Sequence, residues 1–194
     1  MYDLETRLNK AEEKIKNPNF RKNKGLGNEV GYYIFDYPAE QELLVRERVN
    51  YLVSKYNNET DEFKLVVFDL YDTIIDILIK EGFLDICEEF EKTKGLSEIT
   101  KAINEMLRME EDNHDNEILS HIKDNTPPNS IIFLIGIGKC YPILRSHKIL
   151  NNLHQFIDNT PVVMFFPGKY DGQSLVLFGE TKDDNYYRAF PLVD

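Results

Sequence analysis

Five consecutive apolar residues, Ile131 to Ile135, constrain the fold of this chain more than any other feature. The run does not alternate polar and apolar side chains, which is typical of a strand that is buried on both faces of a sheet. Pro127 and Pro128 precede the run and Gly136 follows it, and these residue types commonly interrupt regular structure. The sequence therefore predicts a strand in the interior of a sheet.

Other strand patterns alternate with helical patterns along the chain. Strands rich in apolar and β-branched residues are predicted at 30–38, 63–70, 131–135, 161–166 and 174–178. Apolar stripes at helical spacing predict helices over 39–55, 73–90 and 143–158, and two further helical pieces between 96 and 123. Strands that alternate with helices are typical of a parallel sheet, since each helix forms a crossover connection. We therefore predict an α/β fold with a mostly parallel central sheet of about five strands flanked by helices.

The chain of 194 residues has the length of one α/β domain, so we predict a single domain over 1–194. An amphipathic N-terminal helix over 1–18 precedes the first strand, and a helical insert over 93–126 could form a protruding lobe. The turn before the strand 174–178 is short enough for an antiparallel hairpin at an edge of the sheet.

The charge balance excludes some partners. Lys and Arg number 23 against 34 Asp and Glu, and the net charge is −11, so we expect no direct binding of nucleic acid. The N-terminus lacks the apolar segment of a signal peptide, and no run is long enough to cross a membrane. Cys87 and Cys140 lack the spacing of a metal site or redox pair. We therefore expect a cytoplasmic protein with reduced thiols and no membrane partner.

A glycine-rich turn follows the apolar run. Gly136, Gly138 and Lys139 stand between a strand and a helix, where backbone N–H groups can hold phosphate. The glycines are too close together for a Walker loop, and Tyr141 stands where a dinucleotide fingerprint requires a third glycine. We therefore favour a tight exit with positive φ for both glycines, with Tyr141 as an aromatic lid and Pro142 as a helix-initiating residue.

Acidic residues end the first two predicted strands. Asp36, Asp69 and Asp72 could bind a divalent cation if their strands were adjacent, but we favour helix caps and turns. Together with the glycine-rich turn, these aspartates leave open a second function, a small-ligand or nucleotide-sensing domain with its site at the C-terminal strand ends. Nuclease or phosphatase activity at the same three aspartates is a third hypothesis.

We expect no catalytic residue, bound metal or cofactor. No histidine spacing fits a metal site, and no nucleophile has a base beside it. Lys139 could lower the pKa of the neighbouring Cys140, but we favour a small side chain at a turn. Arg145, Lys169 and Arg188 could clamp a carboxylate or a phosphate if their loops met.

Three segments resemble the C-terminal part of the BrxB family, a small component of BREX bacteriophage-exclusion systems. They are Gly136 to His147, Phe165 to Gly172, and Tyr186 to Pro191. The resemblance implies a non-enzymatic adaptor or scaffold that binds other BREX proteins, first the alkaline-phosphatase-like protein PglZ and second the AAA+ ATPase BrxC. We expect the partner-binding or loop-ordering residues to be Gly136, Gly138, Tyr141, Arg145, Phe166, Gly168, Tyr170, Tyr187 and Arg188.

Overall fold

The structure is a computed structural model, and it describes residues 3–22, 31–59, 62–109, 116–153, 156–157, 159–183 and 189–193. Its strands are β1 (Tyr32–Tyr37), β2 (Lys64–Asp69), β3 (Ser130–Ile135), β4 (Val162–Tyr170), β5 (Leu175–Leu177), β6 (Thr181–Asp183) and β7 (Phe190–Pro191). Its helices are α1 (Leu4–Lys16), α2 (Pro18–Arg21), α3 (Glu42–Glu59), α4 (Leu70–Lys80), α5 (Leu84–Lys94), α6 (Leu96–Met106), α7 (Glu117–Asp124), α8 (Ile137–Cys140) and α9 (Ser146–Leu153).

The predicted α/β class with a mostly parallel sheet is confirmed. The strands lie in the order β2-β3-β4-β1-β7, and every neighbouring pair in this order is parallel. The hairpin prediction is also confirmed, because β4 continues past its parallel partners and pairs antiparallel with β5, which pairs in turn with β6. The short strands β6 and β7 are not in the prediction and bring the sheet to seven strands.

Helices cover both faces of the sheet, and each face has its own core. Alternate residues of the strands point to opposite faces. On one face, Tyr33, Phe35 and Phe165 pack against α1, α2 and α3. On the other face, Ile34 and Met164 pack with residues from α4 to α9. The predicted interior strand is β3, which lies between β2 and β4 with Ser130 to Leu134 buried.

The helical region before β3 belongs to the core on the face that carries Ile34 and Met164, which we call the second core. Ile99 and Ile103 of α6 are buried in it, as are Ile118 and Ile122 of α7. These two helices therefore contribute apolar side chains to the core on this face of the sheet, whereas their sequence left open a protruding lobe.

The single helix predicted over 73–90 is wrong. Gly82, with φ of +74°, ends α4, and Phe83 N donates a hydrogen bond of 2.8 Å to Leu78 O to close the turn. The helix α5 then begins at Leu84. A left-handed glycine after a helix favours such an ending, so Gly82 outweighs the continuing apolar pattern.

The helix predicted over 143–158 is also corrected. The chain first forms α8, a turn of helix directly after β3, and then α9, which begins at Ser146. Pro142 lies in the turn between them and does not initiate a helix. Within the described residues, no helix combines the length and the apolar character that a membrane crossing requires.

Candidate functional site

The carboxyl ends of β2, β3 and β4 meet around the short helix α8. Gly136 leaves β3 with φ of +78°, as the sequence predicts for this glycine, and Lys139 N donates to Gly136 O at 2.9 Å. Only the first of the two glycines has positive φ, so the same prediction for Gly138 is wrong. The tight exit turns the chain across the ends of the neighbouring strands.

Lys139 joins α8 to the beginning of α4. Its Nζ lies 2.6 Å from Asp69 Oδ2 and 3.4 Å from Asp72 Oδ1. Asp69 is also the N-cap of α4, since its Oδ1 accepts from the backbone N–H groups of Tyr71 and Asp72. Burial lowers the pKa of Lys139, but the two carboxylates raise it by a larger amount. The pKa therefore lies above its ordinary value. The preference for a helix cap is therefore confirmed for Asp69.

Gly136 is required by space as well as by its dihedral angle. A Cβ added at this position would lie 2.3 Å from Asp69 Oδ1 and 3.0 Å from Lys139 Cε. Real Cβ atoms do not approach neighbours this closely, so any larger residue would displace the ion pair. The glycine lets the exit of β3 pass directly beside the cap of α4.

Exposed aromatic side chains surround α8. Tyr71 is 39% exposed, Tyr141 is 42% exposed and Phe178 is 46% exposed. Lys139 Nζ lies 5.3 Å from the centre of the Tyr71 ring, within the range of a cation–π contact. We call Tyr71, Lys139, Tyr141 and Phe178 the aromatic rim. Large exposed aromatic residues carry much of the binding energy in protein interfaces.

The turn between β5 and β6 holds Phe178 in place. Phe178 has φ of +56°, which is uncommon for a bulky residue, and its N–H donates to Pro167 O at 2.9 Å. Its ring and Pro167 lie against Gly138, where an added Cβ would approach both at 3.0 Å. Gly138 therefore serves close packing, and it lets the ring of Phe178 lie on α8.

The three strand-end aspartates do not converge. The strands β1 and β2 are separated by β3 and β4, which places their ends about 14 Å apart at normal strand spacing. Asp36 instead pairs with Arg7 Nη2 at 2.5 Å and accepts from Tyr170 N at 3.0 Å. No cluster of side chains suited to a metal ion occurs among the described residues.

Cys140 is buried at the end of α8, and its Sγ donates to Gly136 O at 3.3 Å. Burial, with a smaller contribution from the charge of Asp69, raises the pKa of this thiol to about 12. The alternative of a lowered pKa through Lys139 is therefore wrong. The thiol stays protonated, which fits a small side chain that fills the turn.

The geometry gives little support to nucleotide binding at Gly136 to Lys139. The carboxylates of Asp69 and Asp72 already hold the Lys139 ammonium, and they would repel a phosphate at the same place. The helix α8 has only 4 residues, so few of its N–H groups point toward a ligand.

The other predicted residues have different surroundings. Phe166 is 1% exposed and belongs to the core, so its ring does not face a partner. Gly168 lies in the hairpin, where an added Cβ would approach Val176 O at 2.1 Å. The hydroxyl of Tyr170 donates to Ala189 O at 2.7 Å and ties the hairpin to the chain near β7. Gly168 and Tyr170 therefore order the hairpin at the carboxyl edge, whereas Phe166 packs in the core.

Of the predicted cations, Arg145 is exposed beside α6, and Lys169 is exposed in the hairpin. No described contact joins them. Tyr187 and Arg188 lie outside the described residues.

Sequence reasoning missed Tyr71 and Phe178 as rim residues. Tyr71 lies two residues after the capping residue Asp69, in the first turn of α4, and an aromatic residue beside a cap at a strand end is the local signal that could have identified it. Phe178 precedes Gly179, which has φ of +76°, and a bulky residue beside a turn glycine is the local signal that could have identified it.

The chain is similar to known proteins over its whole length. A family described as "BREX protein BrxB" matches residues 66–192, which include the whole aromatic rim. A BREX protein BrxB from Bacillus cereus (strain H3081.97) is 48% identical over 194 residues, which is 100% of both chains. Another from Escherichia coli O9:H4 (strain HS) is 34% identical over 98% of this chain and 92% of the relative. No solved structure matches the chain. The chain therefore belongs to the BrxB family of BREX proteins.

Proposed function

We propose that this chain is a non-enzymatic adaptor of a BREX bacteriophage-exclusion system, and that it acts in the cytoplasm by binding other BREX proteins. The aromatic rim is the observation that carries the proposal. Three exposed aromatic side chains lie around α8 at the carboxyl edge of a parallel sheet, where α/β proteins usually place binding groups, and Lys139 contacts one of them, Tyr71. Family membership supports the connection to BREX.

The rim is held in a fixed geometry, which lowers the entropic cost of binding. Tyr71 lies in the first turn of α4, whose N-terminus Asp69 caps. The backbone of Phe178 is fixed by its bond to Pro167 O, and its ring packs on Gly138. Asp69 holds Lys139 beside the ring of Tyr71. A partner would therefore meet an ordered surface.

The polar groups at this edge have structural partners, which supports a role in binding rather than in catalysis. Asp69 accepts hydrogen bonds from α4 and pairs with Lys139, and Asp36 pairs with Arg7. Cys140 is buried and protonated. A catalytic nucleophile or base requires an accessible group that is free to react, whereas Asp69 and Asp36 are engaged in structural contacts and Cys140 is buried.

PglZ is the first partner that we propose, and BrxC is the second. The net charge of −11 supports a protein partner over direct contact with a nucleic acid backbone. An aromatic surface of this kind fits an apolar patch with polar edges on the partner.

Co-purification tests the proposal. The native BREX cluster is expressed with a tag on this chain, either unchanged or with Tyr71→Ala, Tyr141→Ala and Phe178→Ala together. We expect the unchanged chain to retain PglZ or BrxC and the triple variant to lose it, with a matching loss of phage exclusion. Tyr51→Ala is the control, because Tyr51 is 49% exposed on α3, away from the rim. If the unchanged chain retains no BREX protein, the adaptor function is wrong.

A further inference from the structure

A cleft of about 730 Å³ opens between α6 and the segment 142–148. Asn104 joins its two sides, because its amide nitrogen donates to Thr100 O at 2.8 Å and to Ile143 O at 2.7 Å. Asn104 is buried, and Ile143 packs against the second core. The cleft is therefore a fixed feature of the fold, built on a side chain that spans its floor.

Basic residues outnumber acidic ones in the lining of this cleft, whereas acidic residues outnumber basic ones in the whole chain. Lys101, Arg145 and Lys148 line it together with His147, and Glu105 is the one carboxylate in the lining. In the whole sequence, by contrast, 34 acidic residues outnumber 23 basic residues. A concentration of cations within an acidic protein favours an anionic ligand and repels a basic one.

Two of these cations are accessible to a ligand. Arg145 is exposed, and no carboxylate in the described part of the chain pairs with its guanidinium. Lys101 pairs with Glu98 at 2.7 Å, but both side chains are at least half exposed. An exposed pair of this kind contributes little to stability, so Lys101 can exchange its partner for a ligand carboxylate at small cost.

The cleft also has an apolar part. Leu96 is 50% exposed at the beginning of α6, and Pro142 and Ile143 form part of the opposite wall. A small inorganic anion would leave this surface uncovered. A peptide that carries an apolar side chain between carboxylates would cover it and would pair with the cations at the same time.

We propose that this cleft binds an acidic peptide segment with at least one apolar residue, contributed by another protein of the same BREX system. The proposal rests on the adaptor function proposed above and adds a second contact surface to it. Arg145 pairs with a carboxylate of the segment in bidentate geometry, and Lys101 pairs with another. Leu96 and Ile143 pack against the apolar residue. The cleft thereby selects an acidic segment over a neutral or basic one.

An array of peptides of about 15 residues, tiling the other proteins of the same BREX system, tests this proposal, since that length spans a cleft in extended form. We expect the bound peptides to be acidic with an apolar residue. We expect Lys101→Glu with Arg145→Glu to weaken their binding about tenfold or more. Binding of the unchanged chain should also weaken between about 50 and 300 mM salt, because the pairs are partly exposed.

Lys80→Glu with Lys92→Glu is the control, since both lysines are exposed on α4 and α5 and the change in net charge is the same. The cleft proposal is wrong if no peptide binds, if the bound peptides lack an acidic excess, or if the cleft variant binds them as well as the control. Co-purification separates the two proposals. If the chain retains a BREX partner but binds no peptide in the array, the cleft proposal is wrong and the adaptor proposal stands.

Discussion

Lys139 Nζ lies 2.6 Å from Asp69 Oδ2, and this ion pair joins the turn after β3 to the cap of α4. The side chains are 30% and 17% exposed, so water screens the pair less than a fully exposed one. The same carboxylate accepts from two backbone N–H groups of α4. One side chain thus holds both the helix that carries Tyr71 and the turn that carries Tyr141.

Asp69→Ala should lower the free energy of unfolding by about 2 kcal/mol, because it removes both a helix cap and a charged hydrogen bond. Asp72→Ala should cost about 0.5 kcal/mol or less, since Asp72 is 66% exposed and lies 3.4 Å from Lys139. Chemical denaturation of both variants measures the difference. Equal losses would show that Asp69 does not hold the turn.

Gly136→Ala should destabilise the fold more than Gly172→Ala. Both glycines have positive φ, so both changes carry a backbone cost of about 1 kcal/mol. At Gly172 nothing lies within 4 Å of an added Cβ, whereas at Gly136 the Cβ would meet Asp69 Oδ1. The extra loss at Gly136 should be about 1 kcal/mol or more, because overpacking forces the ion pair to move. Thermal unfolding of the two variants measures the difference. Equal unfolding midpoints for Gly136→Ala and Gly172→Ala would contradict the crowding at Gly136.

Both cysteines should resist thiol reagents while the protein is folded. Burial raises the pKa of Cys87, and it raises the pKa of Cys140 to about 12. Only the thiolate reacts, and at pH 8 a thiol with this pKa is ionised in about one molecule in ten thousand. Titration with Ellman's reagent should detect almost no thiol in the native protein and both after addition of guanidinium chloride. Rapid labelling of Cys140 in the native state would contradict its burial.

Glu12 of α1 should make stability depend on pH. It accepts hydrogen bonds from Tyr56 at 2.7 Å, Lys55 at 3.0 Å and Arg48 at 2.6 Å. Burial raises the pKa of Glu12, but these hydrogen bonds and the positive charges of Lys55 and Arg48 lower it by a larger amount. The pKa in the folded state therefore lies below the ordinary value of 4.5. Its contribution is therefore complete above pH 4.5 and is lost as the pH falls through the lowered folded-state value.

Glu12→Gln should accordingly cost about 2 kcal/mol at pH 7 and much less at low pH, where the unchanged chain has also lost the charge. Denaturation at several pH values measures both effects. Glu13→Gln, on the exposed side of the same helix, is the control and should leave the curve unchanged. A constant difference between the Glu12 variant and the unchanged chain at all pH values would contradict the assignment.

The sequence predicts the local elements well because their signals are local. The apolar run of β3 reports burial through composition alone, and the helical spacing in α3 reports it for Val45, Val49 and Leu52, although Leu43 and Leu44 of the same pattern are exposed. The break at Gly82 was missed because the apolar pattern continues on both sides of it, while the left-handed turn is set by the backbone. The strand β7 has 2 residues and exists through its pairing with β1, so no local pattern could reveal it.

The candidate site was predicted only in part, because strand order decides it. Tyr141 and Gly136 were identified from the turn after β3, and that turn does lie at the carboxyl edge. Tyr71 and Phe178 join them because β2 lies beside β3, and because the hairpin from β4 returns across α8. These relationships depend on contacts between distant parts of the chain. Phe166 was misjudged because an aromatic residue near a strand end can point into the core or away from it.

The affinity between the purified chain and its co-purified BREX partner tests the central claim most directly. Isothermal titration should show saturable binding for the unchanged chain and for Tyr51→Ala. The variant with both Tyr71→Ala and Phe178→Ala should bind about a hundredfold more weakly, since each aromatic hot spot contributes about 1–2 kcal/mol. Equal affinity of all three chains would contradict the aromatic rim as the docking surface.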